Sequence, residues 1–278
     1  MYYKKKERKS MNNNPIGVFD SGIGGLTVLK DIINLLPAES TVYLGDTARV
    51  PYGTKSKETV IRYSLENASF LRSFGVKLIV AACNTASAYA LGPLQDALDV
   101  PVIGVIEPGS AAALSATKSG VIGVIGTEGT ISSRAYRDVI KAKNPGARVF
   151  DKACPLFVPL VEEGFLTTEA TGIIASHYLR EFKGHNIDTL VLGCTHYPLL
   201  KETISSVMGA EVELIDSAEA TAGEVKRLLG TGGIEKRDTG SPPVHRFFVT
   251  DSPARFVRVG RIFFGDALPA PEQRDISR

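Results

Sequence analysis

Cys83 and Cys194 occupy matched settings. Each closes an apolar run, Leu78-Ile79-Val80-Ala81-Ala82 before Cys83 and Thr189-Leu190-Val191-Leu192-Gly193 before Cys194. Small polar residues follow, Asn84-Thr85 in one case and Thr195-His196 in the other. The pattern reads as a buried strand, a thiol at its carboxyl end, and a residue able to cap the helix that comes next. A thiol facing a helix amino terminus sits where the helix dipole favours the thiolate, the reactive form. Two such thiols in one chain suggest a matched acid and base rather than one nucleophile. Cys154 has no such setting and reads as a buried, inert residue.

Alternating elements must position these thiols. A strand-like run at Ile16-Gly17-Val18-Phe19 leads through a Gly-rich turn to a helical pattern from Leu26 to Leu36. A second run, Thr41-Val42-Tyr43-Leu44, gives way to a polar loop through Gly53 and helical spacing over 56–74. After the Cys83 strand come a helix from about Ser87 to Leu98 and a strand over 102–106. This is βαβ punctuation, which predicts an α/β fold with parallel sheets covered by helices on both faces.

The pattern then restarts, because Val121-Ile122-Gly123-Val124-Ile125-Gly126-Thr127 resembles Ile16-Gly17-Val18-Phe19-Asp20-Ser21. Asp20 precedes Cys83 by 63 residues, and Gly126 precedes Cys194 by 68. The near-equal spacing predicts two similar open-sheet domains with a cleft between them. The expected division is a first domain of 15–107 plus 215–266, a second of 108–214, a disordered basic tail at 1–14 and a frayed end at 267–278.

Composition narrows the classes. The chain has 278 residues, 44% of them apolar, and a net charge of +2. Residues 1–14 hold +4 of that charge, which leaves −2 for the rest, so the body has no basic surplus and nucleic acid is not an expected partner. Three cysteines in such a length make no disulfide framework and suit a reducing cytoplasm. No apolar segment follows the basic head, and no run approaches the ~20 residues of a membrane span.

Ligands of open parallel sheets sit beyond the carboxyl ends of the strands. Two similar halves facing each other would line one cleft with Asp20-Ser21, Tyr52-Gly53, Cys83-Asn84-Thr85, Thr127 and Cys194-Thr195-His196. Hydroxyls and helix termini suit an anion, most simply carboxylates. Two thiols across a small ligand suit proton transfer on opposite faces of one carbon, which inverts a stereocentre. Zinc fits poorly, since it needs about four closely spaced ligands and the chain has no Cys-x-x-Cys or His-x-x-x-His. The glycines at 22, 24 and 25 fall short of a dinucleotide fingerprint, which needs Gly where Thr27 stands.

Four motifs in order carry a family resemblance: Asp20-Ser21-Gly22-Ile23-Gly24-Gly25-Leu26, Arg49-Val50-Pro51-Tyr52-Gly53, Ala82-Cys83-Asn84-Thr85-Ala86 and Gly193-Cys194-Thr195-His196-Tyr197-Pro198. With the stretch 155–164 and its Glu162-Glu163 pair, they resemble the glutamate racemases, over roughly residues 15–266. The resemblance implies an isomerase that interconverts L- and D-glutamate without a cofactor and supplies D-glutamate for peptidoglycan. It implies that Cys83 takes the α-proton of the D-isomer, assisted by Asp20, and Cys194 that of the L-isomer, assisted by His196. Substrate contacts are expected on Asp20, Ser21, Tyr52, Gly53, Asn84, Thr85, Thr195 and His196, with Pro51 and Thr127 beside them. Of the glutamate pair, Glu162 is expected beside the second cysteine. A cytoplasmic homodimer is also implied, with no metal, nucleic-acid or membrane partner. Two rivals stay open on the residues alone, a two-cysteine racemase for aspartate or another amino acid and a non-catalytic module that binds small anions.

Overall fold

Short β-rich runs, fully buried in the central strands, build two all-parallel sheets in a computed structural model that describes residues 13–236 and 241–276. The first sheet starts with β1 (Ile16–Asp20), β2 (Thr41–Gly45), β3 (Leu78–Ala81) and β4 (Val102–Gly104). The second holds β5 (Val121–Gly126), β6 (Arg148–Ala153), β7 (Thr189–Gly193) and β8 (Glu213–Asp216). The chain then returns to the first sheet with β9 (His245–Val249) and β10 (Glu272–Gln273). Strand order is β10-β9-β2-β1-β3-β4 in one and β6-β5-β7-β8 in the other. Without the returning pair, the first sheet reads β2-β1-β3-β4, the same order as the second.

Strands buried on both faces need helices on both sides. Helices Lys57–Arg72 and Asn84–Ala97 cover one face of the first sheet, where Leu71, Ala90 and Leu94 meet Phe19, Ile79 and Ala81. Helices Ile106–Ala116 and Ala135–Lys143 cover one face of the second, through Ala113 and Ile140 against Val124 and Val191. A third apolar cluster runs through both halves, from Val18 and Tyr43 by way of Val225 and Leu229 to Leu190 and Leu192. Its middle is the helix Ser217–Gly232, which packs on helix Leu26–Leu35 of the first half and on helix Ile106–Ala116. Asp216 caps this joint, accepting from the Ala218 amide at 2.9 Å, and Gly233 ends it in the left-handed region at φ 63°.

The structure departs from the sequence-based expectations at several places. The strand expected to reach residue 106 stops at Gly104, and helix Ile106–Ala116 begins two residues later. Pro108 lies within the first turn of that helix, where a missing N–H is tolerated. The boundary expected at 214/215 falls inside β8. Of the end expected to fray at 267–278, residues 267–276 are described; they carry β10 on the sheet edge and bury Leu268. Residues 1–12 of the basic tail, residues 237–240 and residues 277–278 lie outside the described residues.

A buried ion pair ties the returning segment to the first sheet. Lys77 Nζ lies 2.6 Å from Glu39 Oε2, with side-chain exposures of 0% and 4%. Lys77 also donates to the Ile234 carbonyl at 2.8 Å, and Glu39 accepts from the Lys236 amide at 2.7 Å. Removing one member of such a pair leaves the other charge in a dry place. Glu39→Ala is expected to lower stability by about 3 kcal/mol in urea unfolding; a change below about 1 kcal/mol would mean that the pair is dispensable.

Candidate active site

Each sheet reverses its strand order at one place, and the crevice beyond such a reversal is where open α/β sheets hold ligands. In the first sheet the reversal lies between β1 and β3. Phe19 pairs with Ala81 there, so Asp20 stands level with Ala82 and Ser21 with Cys83. In the second it lies between β5 and β7. Gly126 pairs with Gly193, so Thr127 and Cys194 emerge together. The two cysteines thus occupy corresponding positions, and each is 6% exposed.

Their surroundings differ. Cys83 is itself the N-cap of helix Asn84–Ala97, in extended backbone, so its sulfur sits at a helix amino terminus. Burial is the largest influence on its thiol, and the Asp20 carboxylate adds to it. The Ala86 amide and the Ser21 hydroxyl pull the other way, and the balance pushes the thiol up to about 12. Burial also holds the Asp20 carboxyl above the ordinary carboxylate range, against the pull of His196 and of the Gly22 and Gly25 amides. Asp20 Oδ2 accepts from the Gly22 amide at 2.9 Å, while Oδ1 is buried with no hydrogen-bond partner among the described residues.

Cys194 has no α-helix immediately after it. Pro198, with no N–H to give, starts a 3-10 turn over Tyr197–Leu200, and the α-helix Lys201–Met208 follows only then. A helix directly follows Cys83 alone, and its N-cap is Cys83 itself, without a side-chain cap hydrogen bond, rather than the expected residue after it. At Cys194 the imidazole of His196 takes the helix's place, with Nδ1 3.9 Å from the sulfur. The other ring nitrogen faces Glu162 Oε1 at 3.0 Å, and Glu162 Oε2 accepts from Arg255 at 2.7 Å. A carboxylate can only accept, so Nε2 carries a proton and the ring orientation is set. Burial opposes the imidazolium, but the Cys194 sulfur and the Glu162 carboxylate outweigh it and push His196 up to about 10. Burial opposes the Glu162 charge as well; His196 and Arg255 overcome it and hold the carboxyl below its usual range. It is Glu162, not Glu163, that makes the contact.

The two strand-end turns press directly on each other. A Cβ on Gly24 would lie 2.2 Å from Thr195 Oγ1 and 2.5 Å from His196 Nδ1. Thr27, the residue that breaks the dinucleotide fingerprint, places its hydroxyl 2.9 Å from the Gly24 carbonyl and 3.4 Å from that of Thr195. Thr85 meets Thr127 and Thr130 at 2.8 and 3.2 Å across the halves, and a Cβ on Gly53 would come within 2.7 Å of Thr127. The Tyr136 hydroxyl donates to Asn84 Oδ1 at 2.7 Å.

Not every expected contact presents its side chain to the cleft. The Tyr52 hydroxyl donates to Asp46 and accepts from Asn67 Nδ2 at 3.0 Å, while Arg49 clamps the same Asp46. Tyr52 is thus an anchor for the loop that carries Gly53, and Pro51 beside it is exposed. Sequence reasoning missed Asn67, Tyr136 and Arg255, which stand on helices, and Asp46, which directly follows β2. A cavity of about 220 Å³ opens at the rim, between Gly22, Ile23, Val50, Glu162 and Arg255. Among the described residues, no three His, Cys, Asp or Glu side chains are grouped to hold a metal ion, and no helix is long and apolar enough to cross a membrane.

The sequence model of the Asp/Glu/Hydantoin racemase family matches residues 16–225. A glutamate racemase of Geobacter metallireducens is 58% identical over 91% of this chain and 93% of its own length. One of Chlorobaculum parvum is 49% identical over 96% of this chain and 98% of its own length. Among solved structures, glutamate racemase from Francisella tularensis in complex with D-glutamate superposes with a TM-score of 0.89 at 41% identity. That match covers 95% of this chain and 98% of the other.

Glu162→Gln removes a carboxylate that raises His196. The ring titration, followed by NMR, is expected to fall from about 10 toward the ordinary 6.5. A group raised on folding contributes stability that is complete below its unfolded value and lost as pH rises through its folded one. The melting temperature of the native chain should therefore fall between pH 6.5 and about 10 more steeply than that of His196→Gln. Equal slopes would count against a charged His196.

Proposed function

The chain belongs to the Asp/Glu/Hydantoin racemase family and is a racemase; from that premise we propose that it interconverts L- and D-glutamate by two-thiol proton transfer at the α-carbon. The observation that carries this reading is the pair of cysteines at equivalent strand ends of two sheets that meet at one cleft. The choice of glutamate over aspartate rests on the glutamate racemases at 49–58% identity and on the glutamate-bound relative.

In the D-to-L direction Cys83, as thiolate, takes the α-proton. The Cys194 thiol delivers a proton to the opposite face, and the inverted product leaves with thiol and thiolate exchanged. The reverse direction runs the same steps backward, so no net proton is gained or lost. The α-proton is a very weak acid, so the cleft must stabilise the carbanion with fixed donors in a dry site. Asn84, Thr85 and Thr195 suit the α-carboxylate, and Ser21 with the Pro51–Gly53 backbone suits the side-chain carboxylate. Asp20 suits the ammonium group, whose charge would also offset what holds Cys83 protonated. His196, set by Glu162, stabilises the thiolate form of Cys194. Both thiols are nearly closed off, so substrate enters by an opening of the halves. Cofactor independence, a cytoplasmic homodimer and supply of D-glutamate for peptidoglycan complete the reading.

The test is proton NMR of L-glutamate with the purified protein in D₂O, without added pyridoxal phosphate or metal. Loss of the α-proton signal with growth of D-glutamate is expected; inert glutamate alongside racemised aspartate would replace the substrate. Cys83→Ala and Cys194→Ala should each lower racemisation by about 10³-fold or more. Cys83→Ala should still exchange the α-proton of L-glutamate, because Cys194 remains. Near-normal turnover in either variant would exclude the two-thiol mechanism.

A further inference from the structure

Asn84 is the first residue of the helix that Cys83 caps, and it is 3% exposed. One end of its amide is satisfied and the other is not. Oδ1 accepts from the Tyr136 hydroxyl at 2.7 Å, whereas Nδ2 is buried with no hydrogen-bond partner among the described residues. A buried amide donor left without an acceptor is unfavourable. That imbalance implies a visiting acceptor beside Cys83.

The tyrosine decides which end of the amide faces the visitor. Tyr136 comes from the opposite half, on helix Ala135–Lys143, and is 3% exposed. An amide oxygen can only accept, so the single phenol proton goes to Asn84 Oδ1. The NH₂ group is then the end left for a ligand. Two glycines make the seat: a Cβ on Gly109 would lie 3.2 Å from the Tyr136 oxygen, and one on Gly193 would lie 3.0 Å from its ring. Gly193 directly precedes Cys194, so the same ring supports both thiol-bearing turns.

We infer that Tyr136 is a positioning residue that holds the Asn84 amide with its NH₂ toward a substrate carboxylate, so that a residue of one half sets substrate affinity on the other. Without the phenol proton the amide is free to turn over and present its carbonyl oxygen to the anion, which repels it. The inference rests on the reading of the cleft as an amino-acid site.

The test is steady-state racemisation of glutamate by the native chain, Tyr136→Phe, Asn84→Ala and the double variant. Tyr136→Phe keeps the ring and loses one hydroxyl. It is expected to raise KM roughly tenfold while kcat stays within about threefold. Added to Asn84→Ala, it should change KM no further, because the amide it orients is gone; a purely structural role would multiply the two effects. An unchanged KM in Tyr136→Phe, or multiplying effects in the double variant, overturns the inference and leaves the racemase reading intact. A native chain that turns over neither glutamate nor aspartate removes that reading and this inference with it.

Discussion

The close approach of two glycine-lined strand ends is the constraint on which the rest of the molecule depends. Gly24 lies where no side chain fits against Thr195 and His196, so one half's turn is shaped on the other's cysteine loop. Parallel sheets supply the directions, since all their carboxyl ends point one way and the chain reverses its strand order there. The apolar cluster through helix Ser217–Gly232 then holds the two crevices face to face. Polar contacts across the seam, Thr85 with Thr127 and Asn84 with Tyr136, have value only because that core has already set the distance.

Equal topology does not make equal chemistry. A helix amino terminus supports the sulfur of Cys83, and a carboxylate-backed imidazolium faces that of Cys194. A dipole of about half a unit charge is fixed in the backbone and does not titrate. An imidazolium is a full charge that answers to Glu162 and Arg255. The backbone share of the bias at Cys83 does not change with pH, although the Asp20 carboxyl beside it titrates; the bias at Cys194 answers to groups that reach the surface.

The strand ends were legible in the sequence because buried parallel strands leave unmistakable apolar runs, and the residues just beyond them sit where the fold exposes chemistry. Cys83, Cys194, Asp20 and Thr127 could all be located by that rule before any coordinates. Helix Ile106–Ala116 was not, since Pro108, Gly109 and a run of alanine and serine carry little periodic signal. Nor were Tyr136 and Arg255, which read as ordinary members of amphipathic helices and gain meaning only from Asn84 and Glu162, far away in the chain. The hydroxyl of Tyr52 could be assigned to Asp46 only in three dimensions, because the partner that completes its surroundings, Asn67, arrives on the next helix.

The return of the chain to its first sheet has a consequence for synthesis. Thr41 of β2 pairs with His245 of β9, 204 positions later. At the usual pace of translation, that interval lasts about 10–40 s. Throughout it, the β2 edge of the nascent first sheet is unpaired while the whole second half is being made. An open edge of this kind is a template for the wrong strand. The segment that closes it also brings Arg255 to Glu162. A ribosome must therefore finish nearly the entire chain before either the sheet edge is protected or the histidine beside Cys194 is fully braced.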